Sequence, residues 1–178
     1  MPTSGPMPTA QTIPVGRILQ DPLADQNEGL NSETIFAWQP QLSADGRWLA
    51  YTRTVQKLVN GVPESTLQII LMDMQTRQSQ VIGGQEQAVS GGYSYSPVLS
   101  ADGRYLAFES NAMIDNFPGS TTYMCSFSGV ETANCSDILL YDRQSGETLL
   151  VSRALNGDHG NRNSRLPAIS ADGRYVAF

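Results

Sequence analysis

One histidine and two cysteines in 178 residues leave little material for nucleophilic or metal chemistry. His159 lies beside Asp158 in the loop Asn156 to Asn163. A Ser-His-Asp arrangement would need these groups to orient one another, but neighbours on a loop do not, and the chain has no Gly-x-Ser-x-Gly turn. His159 is expected to be a solvated loop residue, and no catalytic residue is assigned. Two cysteines without a nearby histidine are too few for structural zinc. Basic residues are also scarce: 11 against 17 acidic ones, a formal charge of −6, with no Lys/Arg cluster. That excludes nucleic acid and an anionic membrane surface as the expected partner. No run approaches the roughly 18 apolar residues of a membrane span, so no membrane insertion is expected, and the chain lacks the basic-then-apolar layout of a signal peptide.

What the chain has instead is a stretch used three times. It runs from Pro40 to Tyr51, from Pro97 to Phe108 and from Pro167 to Phe178, with the shared pattern Pro-x-(Leu/Ile)-Ser-Ala-Asp-Gly-Arg-aromatic-(Leu/Val)-Ala-aromatic. The Asp positions are 57 and then 70 residues apart, the mark of a repeat architecture. Ser43, Asp45 and Gly46, like Ser100, Asp102 and Gly103 and then Ser170, Asp172 and Gly173, fit a type I turn closed by a residue in the left-handed conformation. The motif therefore reads as strand, turn, strand, with the aspartates as structural acceptors of backbone hydrogen bonds. After the turn, Tyr105 and Ala107 alternate with Leu106 and Phe108, so both faces of the second strand are apolar. A strand of that kind is expected between two covering sheets.

Further strands follow each hairpin. Leu67 to Met72 and Ser79 to Ile82 complete the first unit, and Ile138 to Tyr141 and Thr148 to Ser152 complete the second. Four strands per unit is the make-up of a propeller blade. The predicted fold is all-β, a β-propeller of four-stranded antiparallel blades, here an incomplete, open piece of about two to three blades. Residues 1–11 are a Pro-rich, disordered lead-in, and residues 12–178 form the partial propeller, with blades at 34–83 and 95–153 and a half blade at 166–178. Thr12 to Leu19 adds one leading strand, giving eleven, too few to close the usual ring. The chain is expected either to be a fragment of a longer propeller or to complete one by self-association.

The triple motif, together with Ser136 to Thr148 (SDILLYDRQSGET), resembles the TolB-type, WD40-like repeat of bacterial β-propellers. Such repeats usually carry proline where this chain has Ala44, Ala101 and Ala171; the alanine form resembles a subgroup of secreted or cell-surface propeller proteins. The resemblance implies a scaffolding or binding role outside the cytoplasm, periplasmic or secreted, and carries over no catalytic residue.

The longest insertion, Asn111 to Ser136, holds both Cys125 and Cys135, and reads as a disulfide-pinned loop in an oxidising compartment. No cofactor is expected. Oxygen-rich loops at Asp21 to Glu28, at Asp115-Asn116 and at Asn156 to Asn163 are where Ca²⁺ would bind, although none has the spacing of a known calcium loop. The main functional expectation is a non-enzymatic module that binds a protein or glycan through blade loops, with Tyr93, Tyr95 and Tyr123 as candidate contacts. The alternative is the accessory propeller of a larger hydrolase, such as a prolyl-oligopeptidase-type peptidase.

Overall fold

The repeat becomes structure through one hairpin built three times. In each, the Ser Oγ–H donates to the Asp Oδ1, at 2.5, 2.6 and 2.6 Å for Ser43, Ser100 and Ser170. The same Oδ1 accepts the N–H of Arg47, Arg104 or Arg174, and the Ser Oγ in turn accepts the N–H of Trp48, Tyr105 or Tyr175. Gly46, Gly103 and Gly173 close the turns at φ of 70, 64 and 71°, which only glycine adopts without strain.

The computed structural model describes residues 36–59, 62–84, 92–111, 124–127, 130–155, 160 and 162–178. Their regular structure is all strand. The first four-stranded antiparallel sheet comprises β1 (Ala37–Leu42), β2 (Trp48–Val59), β3 (Val62–Asp73) and β4 (Gln78–Gly83) in sequence order. The second comprises β5 (Ser94–Leu99), β6 (Tyr105–Ser110), β9 (Asp137–Asp142) and β10 (Glu147–Leu150), between which the hairpin β7 (Met124–Phe127) and β8 (Val130–Asn134) is inserted. A third unit begins with β11 (Ala168–Ile169) and β12 (Val176–Ala177). The chain is an open, propeller-like all-β fold.

Two features depart from the sequence reading. Strands β2 and β3 pair from Trp48–Asp73 all the way out to Val59–Val62, well beyond the expected Leu67 to Met72. The added length is rich in β-branched residues, and an Asn60-Gly61 pair, a strong hairpin signal, sits between the strands. The insertion expected as a plain loop contains β7 and β8, joined across Ser128-Gly129. The lead-in 1–11 and the strand proposed at Thr12 to Leu19 lie outside the described residues.

Each third strand ends in an aspartate that holds the arginine of its own hairpin. Arg47 reaches Asp73 Oδ2 through Nε at 3.3 Å and Nη2 at 2.9 Å, and Arg104 grips Asp142 through both carboxylate oxygens, at 2.8 Å for the shortest contact. Each Asp also accepts the N–H two residues on, from Gln75 or Gln144, so one side chain ends the strand and starts the turn. The Arg104 fork holds Asp142 down to about 2, and Arg47 lowers Asp73 in the same way.

The blades stack through an apolar layer that sequence alternation dictates. Ala50, Ile69 and Leu71 of the first sheet meet Leu106, Phe108, Leu139 and Leu150 of the second. Leu49, Tyr51, Ile70 and Met72 line the opposite face of the first sheet and are also buried. Both faces of the strand after the turn are thus covered, as its sequence requires, each fully buried Leu, Ile or Phe contributing about 2 kcal/mol. At the turn end the seam is tighter. Ala44 N–H donates to Ala101 C=O and Ala101 N–H to Ala171 C=O, both at 2.8 Å. A Cβ on Gly103 would sit 2.6 Å from the Trp48 ring, and one on Gly173 would run into the Tyr105 ring. Arg143 stacks on Trp48, 3.9 Å from its centroid, and donates to Gly103 C=O.

Gly103 and Gly146 separate conformational strain from seam contact, because both have positive φ but a Cβ on Gly146 meets nothing within 4 Å among the described residues. Gly103→Val should lower the urea unfolding free energy by about 3 kcal/mol or more, and Gly146→Val by about 1–2 kcal/mol. Equal losses would remove the ring contact from the account. The arginine forks set an acid limit. Folded Asp142 titrates below the roughly 3.9 of an unfolded aspartate, so its contribution is complete above that value and is lost as pH falls towards 2. Thermal melts should therefore show a decline between these limits that is shallower in Asp142→Asn than in the wild type.

Candidate binding face

Strand direction sorts the loops into two ends. First strands run towards the Ser-Ala-Asp-Gly turns and third strands towards the turns after Asp73 and Asp142, so both short turns lie at one end. The opposite end collects the long β2–β3 hairpin, the β7–β8 insertion and the connections into β5 and β11. It also holds the beginning of every first strand.

Aromatic residues recur there at fixed repeat positions. Phe36 and Tyr93 share one position, and Trp38 and Tyr95 another, each pair 57 residues apart like the motif itself. Phe36 is 61% exposed, Trp38 40% and Tyr93 38%. Tyr93 is fixed in place: its N–H donates to Asn111 Oδ1 at 2.6 Å and its C=O accepts from Asn111 N–H. A parallel bridge to Leu67 and a Thr66 Oγ1–Gly92 C=O bond tie this segment to the preceding blade.

Beneath the aromatics, each first strand bulges at the residue before its proline. Gln39, Ser96 and Leu166 all have φ of 54–56°, and the ladder shifts register between Trp38 and Gln41 and between Tyr95 and Val98. Three non-glycine residues at positive φ are costly, and side chains from the preceding blade bond the backbone of two of them, Ser96 and Leu166. Gln39 Oε1 accepts Ser96 N–H at 2.8 Å and Thr52 Oγ1–H at 3.2 Å. One blade on, Glu109 stands at the position of Thr52, and its Oε2 accepts Leu166 N–H at 3.4 Å.

Glu109 is 1% exposed. Its Oε1 accepts the Tyr95 hydroxyl at 2.6 Å and faces Arg165 Nε at 3.7 Å. Burial pushes the Tyr95 hydroxyl up from its ordinary value, and the bond to Glu109 and its charge add to the effect. The tyrosine stays neutral and donating, which satisfies a carboxylate that water cannot reach. Tyr95 is thus a support for the face, while Tyr93 belongs to its surface.

The remaining sequence candidates are placed as follows. The nine turn residues occupy the hairpins described above. Cys135 is buried beside Ser136, whose N–H donates to Asn163 Oδ1 at 2.9 Å. Cys125 lies in β7, paired with Thr132 of β8, and its side chain is outside the described residues. Tyr123, Asp158, His159 and the oxygen-rich loops Asp21 to Glu28 and Asp115-Asn116 lie outside them as well. Among the described residues no group of three His, Cys, Asp or Glu side chains could hold a metal ion. Sequence reasoning missed Phe36, Trp38 and Glu109. The first two were available from the 57-residue offset, whereas Glu109 sits in an apolar strand with nothing to mark its partner.

No protein-family model matches the chain, and no curated protein matches it. Solved structures resemble it at low identity. An acylaminoacyl peptidase in complex with Z-Gly-Gly-Phe-chloromethyl ketone is 16% identical with a TM-score of 0.46, over 80% of this chain and 17% of that one. The tricorn protease is 13% identical with a TM-score of 0.44, over 79% of this chain and 10% of that one. TolB from Acinetobacter baumannii is 18% identical with a TM-score of 0.38, over 82% of this chain and 37% of that one. The chain spans well under half the length of each.

Proposed function

We propose that the chain is a non-enzymatic, extracytoplasmic binding module that captures a protein or glycan ligand on the end bearing Phe36, Trp38 and Tyr93. The observation that carries this reading is the exposure of Phe36, Trp38 and Tyr93 at one end, Phe36 and Tyr93 at matched blade positions, on backbone tied to the sheets by hydrogen bonds. Rings displayed on a fixed scaffold give large contact area at little entropic cost and suit sugar faces or apolar peptide side chains. Exposed aromatic residues of this kind on a chain of formal charge −6 suit a contact site. The insertion carrying β7 and β8 leaves and rejoins the second sheet between β6 and β9, at the same end. A Cys125–Cys135 bridge would pin that insertion, consistent with β7 pairing onto β8 and with the buried Cys135 just beyond it. Such a bridge belongs to an oxidising compartment.

The chain has two tryptophans, and only Trp38 lies on this face; Trp48 is packed in the seam. Trp38 emission is therefore a local reporter. Titration with a panel of neutral oligosaccharides and a panel of random heptapeptides should give a saturable change with one of them. Trp38→Ala, followed by calorimetry, and Tyr93→Ala should each weaken that binding about tenfold or more with unchanged melting. Absence of binding to both panels, or variants that bind like the wild type, would contradict the proposal.

A further inference from the structure

Strands β2 and β3 outrun the sheet they belong to. At the aromatic end, the last rung of β1 on β2 is Ala37 opposite Arg53, and the last of β4 on β3 is Gly83 opposite Ile69. Just beyond, one row crosses the end of the blade: Phe36 C=O accepts Thr54 N–H at 2.9 Å, Thr54 stands opposite Leu67, and Leu67 bridges to Tyr93. Phe36 and Tyr93 thus flank the foot of a two-stranded ribbon. Five further pairs, from Val55 opposite Thr66 to Val59 opposite Val62, carry it about 17 Å past them. Gln56, Val62 and Ser65 along it are exposed. A ribbon of two strands is marginally stable in water and gains from a third.

The two edges of the ribbon are not equivalent. Backbone groups alternate in direction along a strand, so those of Gln56 and Leu58 point to the same side as the Thr54 N–H, away from β3. Among the described residues none pairs with β2 on that side beyond Phe36. On the β3 edge, Gly92 and Tyr93 occupy the foot through Thr66 Oγ1 and Leu67, and Pro63, opposite Leu58, offers no N–H. We propose that the β2 edge takes up an extended peptide as an added strand, so that the ligand of the aromatic face is a protein segment and not a glycan. Its main chain bonds Gln56 and Leu58, and its end nearest β1 lies against the Phe36 ring. A row of N–H and C=O groups at strand spacing matches another polypeptide backbone and no sugar. The main-chain bonds supply affinity, and Phe36 selects an apolar side chain. The inference rests on the aromatic face being a binding site.

Three probes followed by Trp38 emission separate the possibilities: a random heptapeptide pool, the same pool with every internal amide N-methylated, and neutral oligosaccharides. The plain pool should saturate the wild type, and the N-methylated pool, which keeps the side chains but cannot pair as a strand, should bind at least about tenfold more weakly. Gln56→Pro removes an N–H from the β2 edge without breaking a β2–β3 bond, and should weaken binding of the plain pool to a similar degree with unchanged melting. Ser65→Pro makes the same change on the β3 edge and should bind like the wild type. Oligosaccharide binding in place of peptide binding, equal binding of the two pools, or equal losses in the two proline variants would overturn the added strand while leaving the aromatic face as a binding site. Binding of none of the three probes would overturn both readings.

Discussion

The contact on which the rest depends is an aromatic ring laid against a glycine of the next blade. It explains why the motif places Gly three residues after the serine that starts the turn and an aromatic two residues later. The glycine has two jobs: it takes a positive φ and it leaves the space the neighbouring ring fills. Any side chain there would fail on both counts. Beside each ring an alanine N–H bonds to the next alanine C=O. Proline, which has no N–H, could not make that bond. Alanine at this turn position therefore makes an interblade link.

The turn end and the opposite end divide the labour of the fold. At the turn end everything repeats: the Ser-Asp bond, the arginine fork on the third-strand aspartate, the ring and its glycine. At the other end only the scaffold repeats. The bulges at Gln39, Ser96 and Leu166 share one conformation, yet the groups that hold them differ, Gln39 and Thr52 in one blade and Glu109 in the next. The exposed rings sit on this variable end, next to the insertions. Invariance at one end and variation at the other is the arrangement expected when one end assembles the blades and the other meets a ligand.

Most of the scaffold was legible in the sequence, and for a definite reason. A hairpin whose turn chemistry is entirely local announces itself, so Ser43, Asp45 and Gly46 and their repeats could be assigned roles that the hydrogen bonds bear out. Alternating apolar residues on both faces correctly placed β2 and β6 between covering layers. The Arg47–Asp73 and Arg104–Asp142 forks were not legible, because their partners are 26 and 38 residues apart and only the fold unites them. The same holds for the bond from the Tyr95 hydroxyl to the buried Glu109, 14 residues on. The Asn60-Gly61 and Ser128-Gly129 pairs were readable turn signals that would have lengthened the first blade's hairpin and revealed the inserted one.

The central claim is that the blades are joined at their turns, and amide hydrogen exchange reads that joint directly. The Ala44 and Ala101 amides, which bond across the seam, should exchange at least about tenfold more slowly than the Ala171 amide, although all three occupy the same place in the same turn. Three amides that exchange alike and fast would show that the blades are not linked there, and the account of the seam would fall.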